Sequence, residues 1–137
     1  MKNSAGTLLY RTVDGEMHVL LVHPSGNYNR NAKWGIPKGL PDANESLEQA
    51  ARRETEEETS VVAEYLEDLG YVDYKKSRKR VHCFCGPAPD SANPRCASWE
   101  IDKAEFVSLA KAKELIHPDQ SEFITRLEAY LESKFNS

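Results

Sequence analysis

Glu54, Glu57 and Glu58 share a stretch with the apolar residues Leu47, Ala50, Ala51 and Val61. Wound into a helix over residues 46 to 61 at about 100° per residue, all seven fall within a sector roughly 120° wide. The apolar stripe therefore turns acidic halfway along. Carboxylates converging on a face that should be buried repel one another and are costly to desolvate unless a cation lies among them. Hard oxygen donors favour Mg²⁺, with Mn²⁺ as a substitute. No His or Cys joins the group to recommend zinc. The same winding points Glu48, Arg52, Glu56 and Thr59 away from this face. The plainer alternative is a solvated helix in which Arg52 and Arg53 pair with the acids at i,i+3 and i,i+4 spacing.

The residues around the stretch define how it starts and stops. Ser46 followed by Gln49 is a capping box, and Gly39 with Pro41 punctuates the loop before it. From Gly39 to Val61 the chain reads GLPDANESLEQAARRETEEETSV. This resembles the signature of the Nudix hydrolases, G-x5-E-x7-R-E-U-x-E-E-x-G-U with U aliphatic. Gly39, Glu45, Arg53, Glu54, Glu57 and Glu58 match it, while Thr55 replaces an aliphatic residue and Ser60 replaces glycine. The Thr55 hydroxyl is expected to bond back to the preceding turn, preserving the packing. Ser60 is expected to end the helix with strain, since the left-handed conformation costs a non-glycine residue about 1 kcal/mol.

The resemblance extends, with less specificity, through SAGTLLYR, LLVHPSG, WGIPKG and WEIDKAEFVSLAKAKELIHPDQ. It is strongest toward bacterial members described as nucleoside triphosphate pyrophosphohydrolases. The WGIPKG entry is similar to that of diadenosine polyphosphate hydrolases. The family implies an α+β fold, an α/β/α sandwich with a mixed central sheet. It also implies hydrolysis of a phosphoanhydride in a substrate built on a nucleoside diphosphate, with water as nucleophile. On that basis Gly39, Glu54, Glu57 and Glu58 are the metal ligands, and Glu45 with Arg53 orients them. Glu57, Glu54, Arg53 and Glu100 form the catalytic set. Glu100 is preferred as general base over Glu105, which is assigned to a strand surface, although a signature glutamate is also open for that role.

Other candidates have plainer readings beside them. Lys38 suits a phosphate contact or is a solvated lysine. Trp34 and Tyr28 suit stacking on a nucleobase, although Trp34 equally suits the core. Lys75, Lys76, Arg78, Lys79 and Arg80 cluster at a hairpin, where solubility of a sheet edge explains most of them and a polyphosphate tail is the alternative. His23, His82 and His117 lack the mutual spacing of a metal site or triad, and structural roles are expected. Substrates from nucleoside triphosphates to dinucleoside polyphosphates, nucleoside diphosphate sugars and capped RNA remain undivided by any residue. A noncatalytic nucleotide-binding sensor is the rival function, although such a module is expected to lose signature carboxylates.

These groups must be positioned by a chain of 137 residues, which suits a single domain over residues 1 to 137. Hydrophobic residues make up 39%, and no apolar run reaches the length of a membrane span. With no signal-peptide pattern, a soluble cytoplasmic protein is expected. The three cysteines fit reduced thiols, with Cys83 and Cys85 as packing residues. A net charge of -4 argues against general nucleic-acid binding. The expected partner is a small nucleotide, and the chain is expected to be a monomer or homodimer.

Alternation and turn signals predict strands over residues 4–12 and 17–23 joined at Asp14-Gly15, and further strands over 62–67, 69–76, 79–85 and 105–108. Pro87, Pro89 and Pro94 mark residues 86–98 as a loop. Helices are predicted over 108–116 and 119–134, the latter presenting Phe123, Leu127, Tyr130 and Leu131 as an intramolecular face.

Overall fold

A computed structural model describes residues 1–135. The chain runs β1 (Lys2–Val13), β2 (Glu16–Pro24), β3 (Lys38–Gly39), α1 (Leu47–Thr59), β4 (Glu67–Asp73), β5 (Lys79–Pro87), β6 (Ile101–Ser108), α2 (Leu109–Leu115) and α3 (Ser121–Phe135). Asp14 and Gly15 both take positive φ, 51° and 82°, the signature of the tight turn that matches strand twist in a hairpin. The sheet order is β4-β5-β1-β2-β6, with β3 paired to β1. β1 runs parallel to β5, and the other pairings are antiparallel, so the sheet is mixed.

Alternation along β1 divides the core. Leu8 and Tyr10 pack with Val19, Leu21, Val81, Cys83 and Cys85 against α2 and α3, burying Phe123, Leu127 and Leu131 of α3. On the opposite face Ala5 meets Ala50 and Ala51 of α1, while Leu9 and Leu20 meet Val61 and Ala63. The result is the expected α/β/α sandwich of an α+β protein. No helix among the described residues is long and apolar enough to cross a membrane.

Several boundaries differ from the sequence expectation. Residues 61–66 form no strand. The carbonyls of Ala63 and Glu64 instead accept hydrogen bonds from the Arg52 guanidinium, at 2.8 and 3.2 Å, in place of donors from a neighbouring strand. β6 begins at Ile101, four residues early, because it pairs with β2 along its length through a register shift at His23/Pro24.

α1 also departs in detail. Ser46 and Gln49 make both halves of the capping box. Ser60 caps the end at φ 67°, the left-handed conformation that disfavours a residue with Cβ. Thr59, expected to face outward, is fully buried: its hydroxyl bonds the Thr55 carbonyl and accepts from the Val61 amide. The buried face therefore keeps Ala50, Ala51 and Glu58 of the predicted one and extends past it to Thr55 and Thr59. Thr55 bonds back to the Ala51 carbonyl at 2.8 Å and also meets the Thr7 hydroxyl of β1 at 2.7 Å.

Candidate active site

The site forms where α1 leans on β3. Two-residue pairing of β3 with β1, Ala5 opposite Gly39 and Gly6 opposite Lys38, fixes the loop against the sheet. A Cβ on Gly6 would lie 2.2 Å from the Pro37 carbonyl oxygen, so the approach depends on that glycine. Gly39 is under a similar constraint. An added Cβ there would lie 2.2 Å from the Glu54 carboxyl carbon and 2.4 and 2.5 Å from its oxygens.

Arg53 organises the acids from behind. Its guanidinium grips Glu45 with two bonds of 2.8 and 2.9 Å, reaches Glu54 at 2.9 Å and Glu57 at 3.1 Å, and donates to the Leu40 carbonyl at 3.1 Å. The Arg53 bonds, aided by the Asp42 amide, hold the Glu45 carboxyl down at about 2. Glu45 in turn is the largest influence raising Arg53 above its ordinary value. Loop and helix are thus clamped through one cation.

The carboxylates facing inward are short of positive charge. Glu58 is buried, and its Oε2 accepts the Lys38 amide at 3.0 Å. Burial first, then repulsion from Glu54 and Glu100, push its pKa up to about 8 against that hydrogen bond. Burial also raises Glu54, with Arg53 opposing. Glu57 stands at the solvent edge beside Arg53, its side chain 55% exposed. The Lys38 ammonium is lowered by burial and by Lys79, with Glu58, Glu54 and Glu100 acting the other way. A cation fits this deficit of positive charge and this all-oxygen donor set. Among the described residues, however, no three acidic, His or Cys side chains are already drawn together as a cage.

Glu100 is exposed immediately before β6 but firmly tethered. Its carbonyl accepts the Ser25 amide at 2.9 Å, the Ser25 hydroxyl bonds the Trp99 carbonyl, and His23 Nδ1 meets Asp102 at 2.7 Å. Ties on both sides fix the backbone at Glu100, which lines two adjoining clefts. One, about 250 Å³, is lined by Trp34, Lys38, Glu58, Tyr74, Glu100 and His117 among others. The second, about 380 Å³, includes Lys2, Lys38, Gly39, Glu54, Lys79 and Glu100.

The fold therefore brings Trp34, Lys38, Gly39, Glu54, Glu58 and Glu100 to one region, with Glu45 and Arg53 behind it and Glu57 at its rim. Tyr28 lies on the one-turn helix at Asn27–Asn29, fully exposed, and lines neither cleft. Glu105 is exposed within β6, opposite Leu21. Tyr74 and Gln120 escaped the sequence reading, and His117 was expected to be structural only. Tyr74 and His117 stack at 5.0 Å, and Gln120 bridges the Tyr74 hydroxyl and the Ile36 amide. They come from β4's end and the α2–α3 connection, and the Trp34–Ile116 bridge, the His117 amide bond to the Trp34 carbonyl and the Gln120 bonds bring them to the cleft. Gln120 lies in the polar run His117–Glu122, so its neighbours along the chain gave no signal that it is buried.

The NUDIX domain model matches residues 2–127. This chain belongs to the Nudix family. Nudix hydrolase 21, chloroplastic, of Arabidopsis thaliana is 32% identical over 127 residues, 88% of this chain. The chain spans 60% of that plant relative's length, and 37% of the length of a Mycobacterium tuberculosis relative matched at 34% identity. Among solved structures, a C. elegans Ap4A hydrolase binary complex superposes with TM-score 0.81 at 24% identity, covering 97% of this chain and 99% of that one. The NUDIX domain of Shewanella oneidensis NrtR complexed with ADP ribose also gives TM-score 0.81 at 24% identity, covering 96% and 88%. At these identities the two structures bear on the fold.

Proposed function

We propose that this chain is a Mg²⁺-dependent pyrophosphohydrolase, with Mn²⁺ as substitute, that opens a phosphoanhydride of a nucleoside triphosphate or dinucleoside polyphosphate by attack of water. The observation that carries the reading is the buried, under-neutralised Glu58 beside Glu54 and Glu100, at the junction of an aromatic cleft and a basic one. Gly39, through its carbonyl, and Glu54, Glu57 and Glu58 would hold the ion, which when bound neutralises phosphate oxygens and makes water more acidic. Trp34 offers a face to the base, and Lys38 offers its ammonium to phosphate oxygens. Glu100 accepts the proton of the attacking water as the new P–O bond forms and the anhydride P–O bond breaks. Arg53 and Glu45 touch no substrate, and they keep the glutamates aimed. Free thiols at Cys83, Cys85 and Cys96 support a cytoplasmic setting.

Purified protein with Mg²⁺ and a panel of nucleotides, followed by product separation, tests this reading. Turnover abolished by EDTA and lowered at least about a hundredfold in Glu57→Gln is expected. Equal turnover in that variant refutes the assignment. Nucleotide binding with no turnover in the native protein would leave the sensor reading instead.

A further inference from the structure

Lys79 and Arg80 are neighbours on β5, yet the fold treats them differently. Arg80 is neutralised: its guanidinium bonds Asp73 at 2.8 and 3.2 Å and lies 3.9 Å over the Tyr71 ring. That is how a sheet edge carries a cation for solubility. Lys79, in contrast, stands directly opposite Lys2 in the parallel β1–β5 register, with the Lys2 amide bonded to the Arg78 carbonyl at 3.0 Å. Like charges placed opposite one another destabilise a strand pair. Among the described residues neither ammonium reaches a carboxylate within ion-pair distance.

Both lysines line the 380 Å³ basic cleft together with Ser4 and Lys38. This cleft shares Lys38 and Glu100 with the cleft lined by Trp34, Tyr74 and His117 and contains none of those three residues. A substrate with its base against the aromatic residues and its scissile anhydride at the glutamates would send whatever lies beyond that bond toward Lys2 and Lys79. A neutral sugar offers those ammonium groups only uncharged hydroxyl acceptors, whereas further phosphates offer negative charge and stronger charge-assisted bonds.

We propose that Lys2, Lys38 and Lys79 form a subsite for phosphates beyond the scissile anhydride, so that the substrate class is a nucleoside polyphosphate with an extended phosphate chain rather than a nucleoside diphosphate sugar. The proposal rests on the hydrolase reading for its orientation, but its test does not need turnover. Calorimetric titration with inorganic tetrapolyphosphate and with pyrophosphate, on the native protein and on Lys2→Gln/Lys79→Gln, gives the ratio of the two dissociation constants. Tetrapolyphosphate is expected to bind more tightly than pyrophosphate, with that advantage reduced about tenfold in the double variant. Raising the salt concentration should erode the advantage in the native protein more than in the variant.

Lys75→Gln/Lys76→Gln removes the same charge outside the cleft and should leave the ratio as it is. An unchanged ratio in Lys2→Gln/Lys79→Gln, or an equal fall in the Lys75/Lys76 variant, overturns the subsite. Absence of turnover on every nucleotide, with the binding ratio behaving as expected, would overturn the hydrolase reading and leave the subsite standing.

Discussion

Replacing Gly39 by alanine separates the chemistry of the site from the stability of the fold. The new Cβ would sit 2.2 Å from the Glu54 carboxyl carbon. Ordinary contact between such atoms begins near 3.5 Å, so the carboxylate must retreat by roughly 1 Å. Mg²⁺ holds its oxygens at about 2.0–2.1 Å and tolerates errors of only about 0.2 Å, so a shift of that size removes Glu54 from productive coordination. Misplacement on this scale costs about a hundredfold in rate.

The stability change in Gly39→Ala should be small by comparison. Gly39 lies in β3 without a left-handed φ, so alanine gains about 0.4–1 kcal/mol from the less flexible unfolded chain. Against this, Glu54 gives up its 2.9 Å bond to Arg53, worth about 1–2 kcal/mol in this half-buried setting. The balance is within about 1 kcal/mol, or roughly 3 °C in Tm for a chain of this size. The assay is nucleotide turnover across a Mg²⁺ titration, alongside thermal melts without metal. Turnover within about threefold of native at every Mg²⁺ concentration would refute the reasoning. A fall in Tm beyond about 10 °C would also refute it, since the clash would then have reached the backbone instead of a flexible carboxylate.

Two further outcomes are expected away from the substrate. Thr55 spends its single proton on the Ala51 carbonyl, so Thr7 must donate to Thr55, and Thr55→Val should cost about 1–3 kcal/mol by stranding the buried Thr7 hydroxyl. Adding Thr7→Val should recover most of that loss, and a double-mutant coupling energy near zero in denaturant unfolding would count against the pair. Glu58 is raised from 4.5 to about 8, so its contribution to metal-free stability is fully present below 4.5 and is lost as pH rises through about 8. Glu58→Gln should therefore raise Tm relative to native increasingly between pH 5 and 8, with Mg²⁺ narrowing the difference. A gap that stays constant over this range would show that burial does not penalise the ionised carboxylate.

Much of the scaffold was legible because its signals are local. Ser46 with Gln49 announced the start of α1, Asp14-Gly15 announced the hairpin, and spacing in α3 announced Phe123, Leu127 and Leu131 as buried. Expectations missed where a long-range partner overrode local preference. The strand predicted over residues 62–67 forms only from Glu67, and ahead of it Arg52, from α1, takes the Ala63 and Glu64 carbonyls. The early start of β6 escaped because Asp102 and Lys103 break the apolar alternation at a register shift. Thr59 was placed outside because a helical wheel centred on the acids is rotated from the stripe that β1 and the turn at Val61 cover.

The amino-acid sequence by itself determined which chemistry this chain is equipped for. Glu45, Arg53, Glu54, Glu57 and Glu58 sit at spacings that one helix and its leading loop convert directly into neighbours, and helical periodicity needs no tertiary information. The tertiary structure alone decided how unequal those acids are. Arg53 holds Glu45 and the rim residue Glu57, while burial leaves Glu58 short of charge. It also decided what stands around them, bringing Tyr74 and His117 to one cleft and Lys2 and Lys79 to the adjoining one. Those groups are distant in the chain, and desolvation and charge depend on every element packed at the site, so no spacing along the sequence encodes them.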